Sequence, residues 1–382
     1  MAMVISIATT SLSTRAKQCL SIPLLMANLL IPVYFSAGNM PLDLVAAVGC
    51  YNFFLRFADL FWIGPLLQGK EAYATLDSLH QDFWSCMRKF PKVNKADKLA
   101  KDKQVDPPFV KDKKFYHLLP PLLYHMAICD VFGAWFSTFT SQDMMILNEQ
   151  RPVFFFFFFV VAVFTLNSVF NAIGYTMHLF YCLYYEQGSY SSAQWRLLME
   201  YPMLATSLDE LWSYRWHQLL RSTWLAFAFR PTRLVVQRLL KNRVKNPTLY
   251  ALTAGSLAVF TVSGGMHEYA LFCNIRWPVF YHAFLGQQQF FFVIHGVGLL
   301  LEKVCSHALQ SLISTAVHDS SFTTTIRRIW VIAFSFYTFP YFLQGFAYWG
   351  IYFDNPYRAL TPYVQQMLRN TPALHSYCGS LL

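Results

Sequence analysis

The stretch TLYALTAGSLAVFTVSGGMHEYALFC, residues 248–273, sets one histidine and one carboxylate in an otherwise uncharged, mostly apolar run. Such a run is long enough to cross a ~30 Å hydrocarbon layer as a helix. Six further runs of this kind stand at roughly 20–38, 42–66, 117–141, 153–183, 281–302 and 329–353. The composition agrees: 55% of the 382 residues are hydrophobic and only 13% are charged, against ~25% charged in a soluble domain. A soluble fold of this size needs more polar surface, so the apolar excess faces lipid. The fold expected is an all-α integral membrane protein, a multispan bundle of about seven to nine transmembrane helices with re-entrant or amphipathic helices on the cytosolic side. It is read as one domain over residues 1–382.

The net charge of +10 is topogenic. Of the 30 lysines and arginines, Arg56 lies within a span and Arg151, Arg276, Arg358 and Arg369 fall on one side. All the others fall on the opposite side, which the positive-inside rule makes cytosolic, together with the N-terminus. Nucleic acid is a poor partner for charge spread this way. The eight cysteines are scattered without a CxxC pair, so neither a disulfide framework nor a zinc site is expected. No cleavable signal is evident, because Arg15 and Lys17 precede what looks like a first span.

Between the spans, residues 67–115 read as a solvated cytosolic loop ending at Pro107-Pro108. The run Phe154 to Phe159 reads as lipid-facing bulk. Residues 186–247 are too polar for a span and too aromatic for a plain loop. Ser207-Leu-Asp-Glu210 reads as a capping box opening a helix. On that helix Trp212, Trp216 and Leu219 or Leu220 form an apolar stripe beside a face of Ser213, Tyr214, His217, Arg221 and Trp224. Then come Arg230, Arg233, Arg238, Lys241, Arg243 and Lys245 with interleaved valines and leucines. This basic amphipathic segment suits anionic headgroups or the phosphates of a nucleotide-like donor, and the two uses are compatible.

Ionisable groups within spans are costly and by default mark function. His267 has small helical neighbours, Ser263, Gly264 and Ala270, which leave room for a substrate channel or for close helix packing. Glu268 projects ~100° round the helix from His267 and is read as holding structure rather than forming a dyad. Asn167, Asn171, Gly174 and His178 share one face and could line the same cavity or bond a neighbouring helix. Gln288 and His295 could line it from the sixth span. Arg56 and Asp59, three apart, read as an internal ion pair. No Ser-His-Asp set, phosphate loop or HExxH helix is present.

A tryptophan-rich helix with RWHQ, followed by an apolar helix with SGGMHEY, resembles the membrane-bound O-acyltransferase superfamily. The nearest likeness is to its wax synthase-like branch, including fungal enzymes that acetylate terpenoid and meroterpenoid alcohols. The resemblance covers about Ser207 to Phe272. It implies that His267 is catalytic, as a general base, and carries His217, at a position held by asparagine in many relatives, as a second catalytic residue that could orient the acyl group or stabilise the oxyanion. It further implies acyl-CoA as cosubstrate, with acetyl-CoA favoured, a lipophilic alcohol as acceptor and no tightly bound cofactor or metal. Arg221, Arg230 and Arg233 are the expected coenzyme A contacts; Trp216, Ser263, Gly264, Asn171, His178 and His295 are the expected cavity lining. The endoplasmic reticulum is the expected membrane. A long-chain wax-ester synthase, a proton-coupled or solute transporter and a non-catalytic scaffold are the alternatives. His267 would lie about 28 Å from the cytosolic edge at ~1.5 Å per residue, so a tilted helix or recessed mouth is required.

Overall fold

Among the described residues seven helices are long and apolar enough to cross a membrane, and the chain is an all-α multispan membrane protein. The structure is a computed structural model that describes residues 1–90, 109–310, 320–350 and 358–382. Residues 91–108 of the expected loop, with Pro107-Pro108, and residues 351–353 of the last expected span lie outside the described residues. In chain order the helices are α1 (Ala2–Thr9), α2 (Thr14–Tyr34), α3 (Met40–Gln68), α4 (Leu76–Trp84), α5 (Phe115–Phe136), α6 (Ser141–Gln150) and α7 (Pro152–Tyr185). They continue as α8 (208–215), α9 (221–240), α10 (Pro247–Asn274), α11 (277–284), α12 (Gln287–Gln310), α13 (Ser321–Trp349), α14 (Thr361–Asn370) and α15 (Pro372–His375). The span Trp277–Ala308 is thus two pieces, broken where Gly286 takes a φ of +88°.

The first span begins earlier than hydropathy places it. Ser13 caps α2, its Oγ accepting from the Ala16 N–H, and Lys17 sits inside the helix. Its ammonium is buried and donates to the carbonyls of Ala8 and Ala72 at 3.2 and 2.7 Å. A charge satisfied in this way no longer marks a boundary. The Arg56–Asp59 pair forms at 3.2 Å and takes in Asp82 of α4 as a third member.

The phenylalanine run corrects the sequence reading. Phe154, Phe155, Phe158 and Phe159 are buried, while Phe156 and Phe157 are exposed. The buried four pack with Phe136 and Phe139 on one side and Phe339 of α13 on the other. In lipid both surroundings of a helix are apolar, so composition does not separate packed faces from bare ones.

The expected loop is partly built. Lys113–Lys114 (β1) pairs antiparallel with Ser189–Tyr190 (β2), and Arg196 donates to the Ser85 and Cys86 carbonyls at 3.1 and 2.8 Å. The stretch after α7 is thereby pinned to α4. At the opposite end of the bundle the C-terminal residues fold back onto α5: Asp130 accepts from the Thr361 N–H at 3.1 Å, and Trp135 Nε1 donates to the Tyr377 carbonyl at 2.8 Å.

Candidate active site

The motif helix is shorter than its apolar stripe suggests. Ser207 Oγ accepts from the Glu210 N–H at 2.9 Å, as expected of a cap. The Glu210 carboxylate, however, reaches back to Thr206, not Ser207, accepting from its N–H and Oγ1–H at 2.7 and 2.8 Å. Residues Leu211–Arg215 make a wide π turn closed by the Trp216 N–H on the Leu211 carbonyl at 2.7 Å. Trp216 itself is extended, and the helix restarts only at Arg221. The stripe of Trp212, Trp216 and Leu219 is therefore not on one helix. The cause is Gln218: its amide donates to the carbonyls of Trp216 and Trp212 at 2.7 and 3.3 Å, while its N–H is spent on Leu198. Side-chain donors that fill the last carbonyls end a helix in this way. The break lets His217 stack flat on Phe170 of α7, centroids 4.1 Å apart.

His267 faces the same region from α10. Its Nδ1 is 2.8 Å from the Ser263 carbonyl. A carbonyl can only accept, so the proton sits on Nδ1 and the lone pair on Nε2. The ring stacks on Phe292 at 4.4 Å, with Phe342 at 5.7 Å. Protein surrounds it closely, yet part of its surface stays accessible. His217 is placed alike, deep among neighbours and partly accessible. His217 lies outside all seven spans; burial, with the nearby His267 adding to it, holds its pKa down to about 3. The two rings are thus close enough to act on each other, and His217 is neutral near pH 7. Its Nδ1 is buried without a partner. Orphaned buried N–H groups are rarer than orphaned acceptors, so the proton belongs on Nε2.

Glu268 has a structural task. Its Oε1 accepts from the N–H groups of Gln288 and Gln289 at 3.0 and 3.2 Å. These are the open donors of the first turn of α12, capped by a neighbouring helix instead of by their own chain. Gln288 then donates its amide to the Tyr341 and Phe342 carbonyls of α13, and Tyr269 donates to the Leu29 carbonyl of α2. Residues 268 and 269 therefore tie α10 to α2 and α12, and Gln288 extends the tie to α13.

The remaining candidates divide. Gly264 is buried, and a Cβ there would meet Gln289 within 3.0 Å. That side is a closed packing face, not a channel wall, and the use of Ser263 is its carbonyl. Asn171 exchanges two hydrogen bonds with the Met199 backbone, at 2.9 and 3.1 Å, and Asn167 accepts from the Tyr201 N–H. His178 stacks on Trp195 at 3.6 Å. Through these contacts the three hold the motif segment against α7. His295 is buried with both nitrogens engaged: Trp212 Nε1 donates to Nδ1 at 3.0 Å, and Nε2 meets Thr338 Oγ1 at 2.9 Å. Trp216 and His295 line an apolar cavity of about 50 Å3 whose wall includes Phe342. Neither His217 nor His267 lines it, although Phe342 touches both the cavity and His267. Arg221, Arg230 and Arg233 are exposed on α9, spread over about 18 Å at ~1.5 Å per residue. Among the described residues no group of three His, Cys, Asp or Glu side chains could hold a metal ion. Phe170, Phe292 and Phe342 carry no signal in the sequence, since an apolar residue in a span is the ordinary case.

The stretch that carries both histidines is also the stretch that known proteins share. Residues 195–293 match the Membrane bound O-acyl transferase family. The match holds His217 and His267 and stops short of His295. A probable long-chain-alcohol O-fatty-acyltransferase of Arabidopsis thaliana (number 7) is 33% identical over 102 residues, 26% of either chain. The long-chain-alcohol O-fatty-acyltransferase of Simmondsia chinensis is 32% identical over 113 residues, 28% of either chain. A second probable Arabidopsis thaliana enzyme (number 1) is 39% identical over 105 residues, again 26% of either chain. The chain thus spans about a quarter of the length of the curated relatives it matches. Together the matches support the membrane-bound O-acyltransferase superfamily, on its wax synthase-like side.

Proposed function

We propose that the chain is an O-acyltransferase that moves an acyl group from a coenzyme A thioester to the hydroxyl of a lipophilic alcohol. His267 is the general base and His217 the donor that steadies the oxyanion. The carrying observation is the Ser263 carbonyl on His267 Nδ1, which leaves Nε2 as the one nitrogen able to take a proton. As the alcohol oxygen attacks the thioester carbonyl, Nε2 accepts its proton, a contribution of typically 10²–10⁴-fold. The new C–O bond forms, the C–S bond breaks, and the coenzyme A thiolate leaves with the proton that His267 returns. The ester and the free thiol are the products, and the ring is neutral again. His217, protonated on Nε2, offers the N–H that an asparagine amide offers at this position in the resembling family.

The donor would enter from the side of α9, where Arg221, Arg230 and Arg233 suit its phosphates; the alcohol would enter from the bilayer. The resemblance favours acetyl as the acyl group and a terpenoid alcohol as the acceptor. The printed names of the relatives instead point to fatty acyl groups and long-chain alcohols. Endoplasmic-reticulum membranes bearing the chain, given labelled acetyl-CoA or palmitoyl-CoA with a terpenoid or a long-chain alcohol, separate these. Acetyl ester made by the wild type and not by His267→Ala is the expected result. Faster palmitoyl transfer overturns the acetyl choice, ester that survives His267→Ala removes the base, and solute flux without ester makes the chain a transporter.

A further inference from the structure

A second cavity lies at the end of the bundle away from β1 and β2. It is enclosed by α5, the start of α7, and the C-terminal helices α14 and α15. Its volume of about 780 Å3 falls in the ~300–1,000 Å3 range of ligand pockets. The walls are apolar, including Phe132, Phe157, Leu368 and Leu374. It shares no lining residue with the cavity beside Trp216. The two flank α7 on opposite faces, with Phe154, Phe157 and Val161 on one and Phe159, Val163 and Leu166 on the other. The second cavity opens outward, since Phe157, Met367 and Tyr377 each keep about half their surface exposed.

One cation stands at its rim. Arg151 Nη1 donates to the Ser376 carbonyl at 2.9 Å, and the guanidinium lies 4.8 Å from the Phe154 ring. Both contacts orient the charge and neither neutralises it. Among the described residues no carboxylate lies within ion-pair distance of Arg151. An apolar hollow under a lone, pre-oriented guanidinium is complementary to a chain with an anionic head. Trp135, whose indole N–H is anchored on Tyr377, lines the hollow as well, and tryptophan and tyrosine favour headgroup depth.

We propose that this cavity holds an acyl chain of an anionic glycerophospholipid, with the phosphate on Arg151. The site is separate from the histidine pair, and the proposal stands or falls independently of acyl transfer. The test uses the full chain in nanodiscs containing trace phosphatidylglycerol or phosphatidylcholine with a photoreactive diazirine in the acyl chain. Adducts are mapped by peptide mass spectrometry. The phosphatidylglycerol probe is expected to label peptides 150–157 and 364–378 in preference to the phosphatidylcholine probe. Arg151→Gln should lower that labelling about fivefold, the weight of one cation at an anionic surface, while Arg151→Lys keeps it. Leu374→Trp, which fills the hollow, should lower labelling by both probes. Equal labelling by both lipids, an Arg151→Gln variant that labels like wild type, or adducts spread evenly round the bundle would each overturn the proposal.

Discussion

His267 and His295 sit on adjoining helices, both inside apolar spans and both beside Phe291 or Phe292. Their surroundings nonetheless assign them different lives. His295 is 1% exposed, and each nitrogen has a partner. Trp212 can only donate, so Nδ1 accepts, Nε2 donates to Thr338, and the Thr338 hydroxyl passes on to the Phe334 carbonyl at 3.0 Å. The chain of donors has one direction and no loose end. His267 has one nitrogen bound and one left over, with part of the ring accessible. A histidine in a span is thus judged by its spare nitrogen and not by its presence.

Three experiments can break or sharpen this contrast. The largest effect is expected of His267→Ala, which should lower kcat by roughly 10²–10⁴-fold while leaving detergent melting near that of wild type. If His295→Ala lowers kcat as far with an unchanged melting temperature, the contrast is lost. Next, His295→Phe leaves the half-buried Trp212 Nε1 without its acceptor, a cost of about 1–3 kcal/mol. It should show as a lower melting temperature, with residual activity in the fraction that stays folded. The third experiment concerns pH. His217 is held near 3 when folded against an ordinary ~6.5, so the unfolded state binds the extra proton between these values. Stability should fall as pH drops from about 6.5 toward 4. His217→Asn should flatten part of that fall and keep the shape of the pH–rate profile above pH 5. A profile that loses its acid limb in His217→Asn would show that His217, not His267, is the titrating base.

Much of the fold is legible because lipid tolerates few alternatives to an apolar helix, and a run such as 248–273 has one reading. The basic loops and the two histidine motifs stand out for the same reason: polar groups are conspicuous against that background. What stays hidden depends on partners distant in the chain. Lys17 belongs inside α2 only because the Ala72 carbonyl is there to receive it. The phenylalanine run cannot announce that α5 and α13 cover it, since lipid and protein are equally apolar. Trp216 leaves the helix because Gln218 caps it, and an amide's target is not written in periodicity. Asn171 and Asn167 look like cavity lining until the backbone at 199–201 is seen to claim them.

The carboxylate beside His267 has a mechanical meaning. A helix whose opening turn is gripped by its neighbour cannot slide along that neighbour or tilt from it without losing both bonds to that carboxylate. The pair 247–274 and 287–310 must therefore travel as a single rigid piece. Any gate that admits a bulky guest to His267 then has to be cut in the stretch that holds Trp216, where regular helix has already given way.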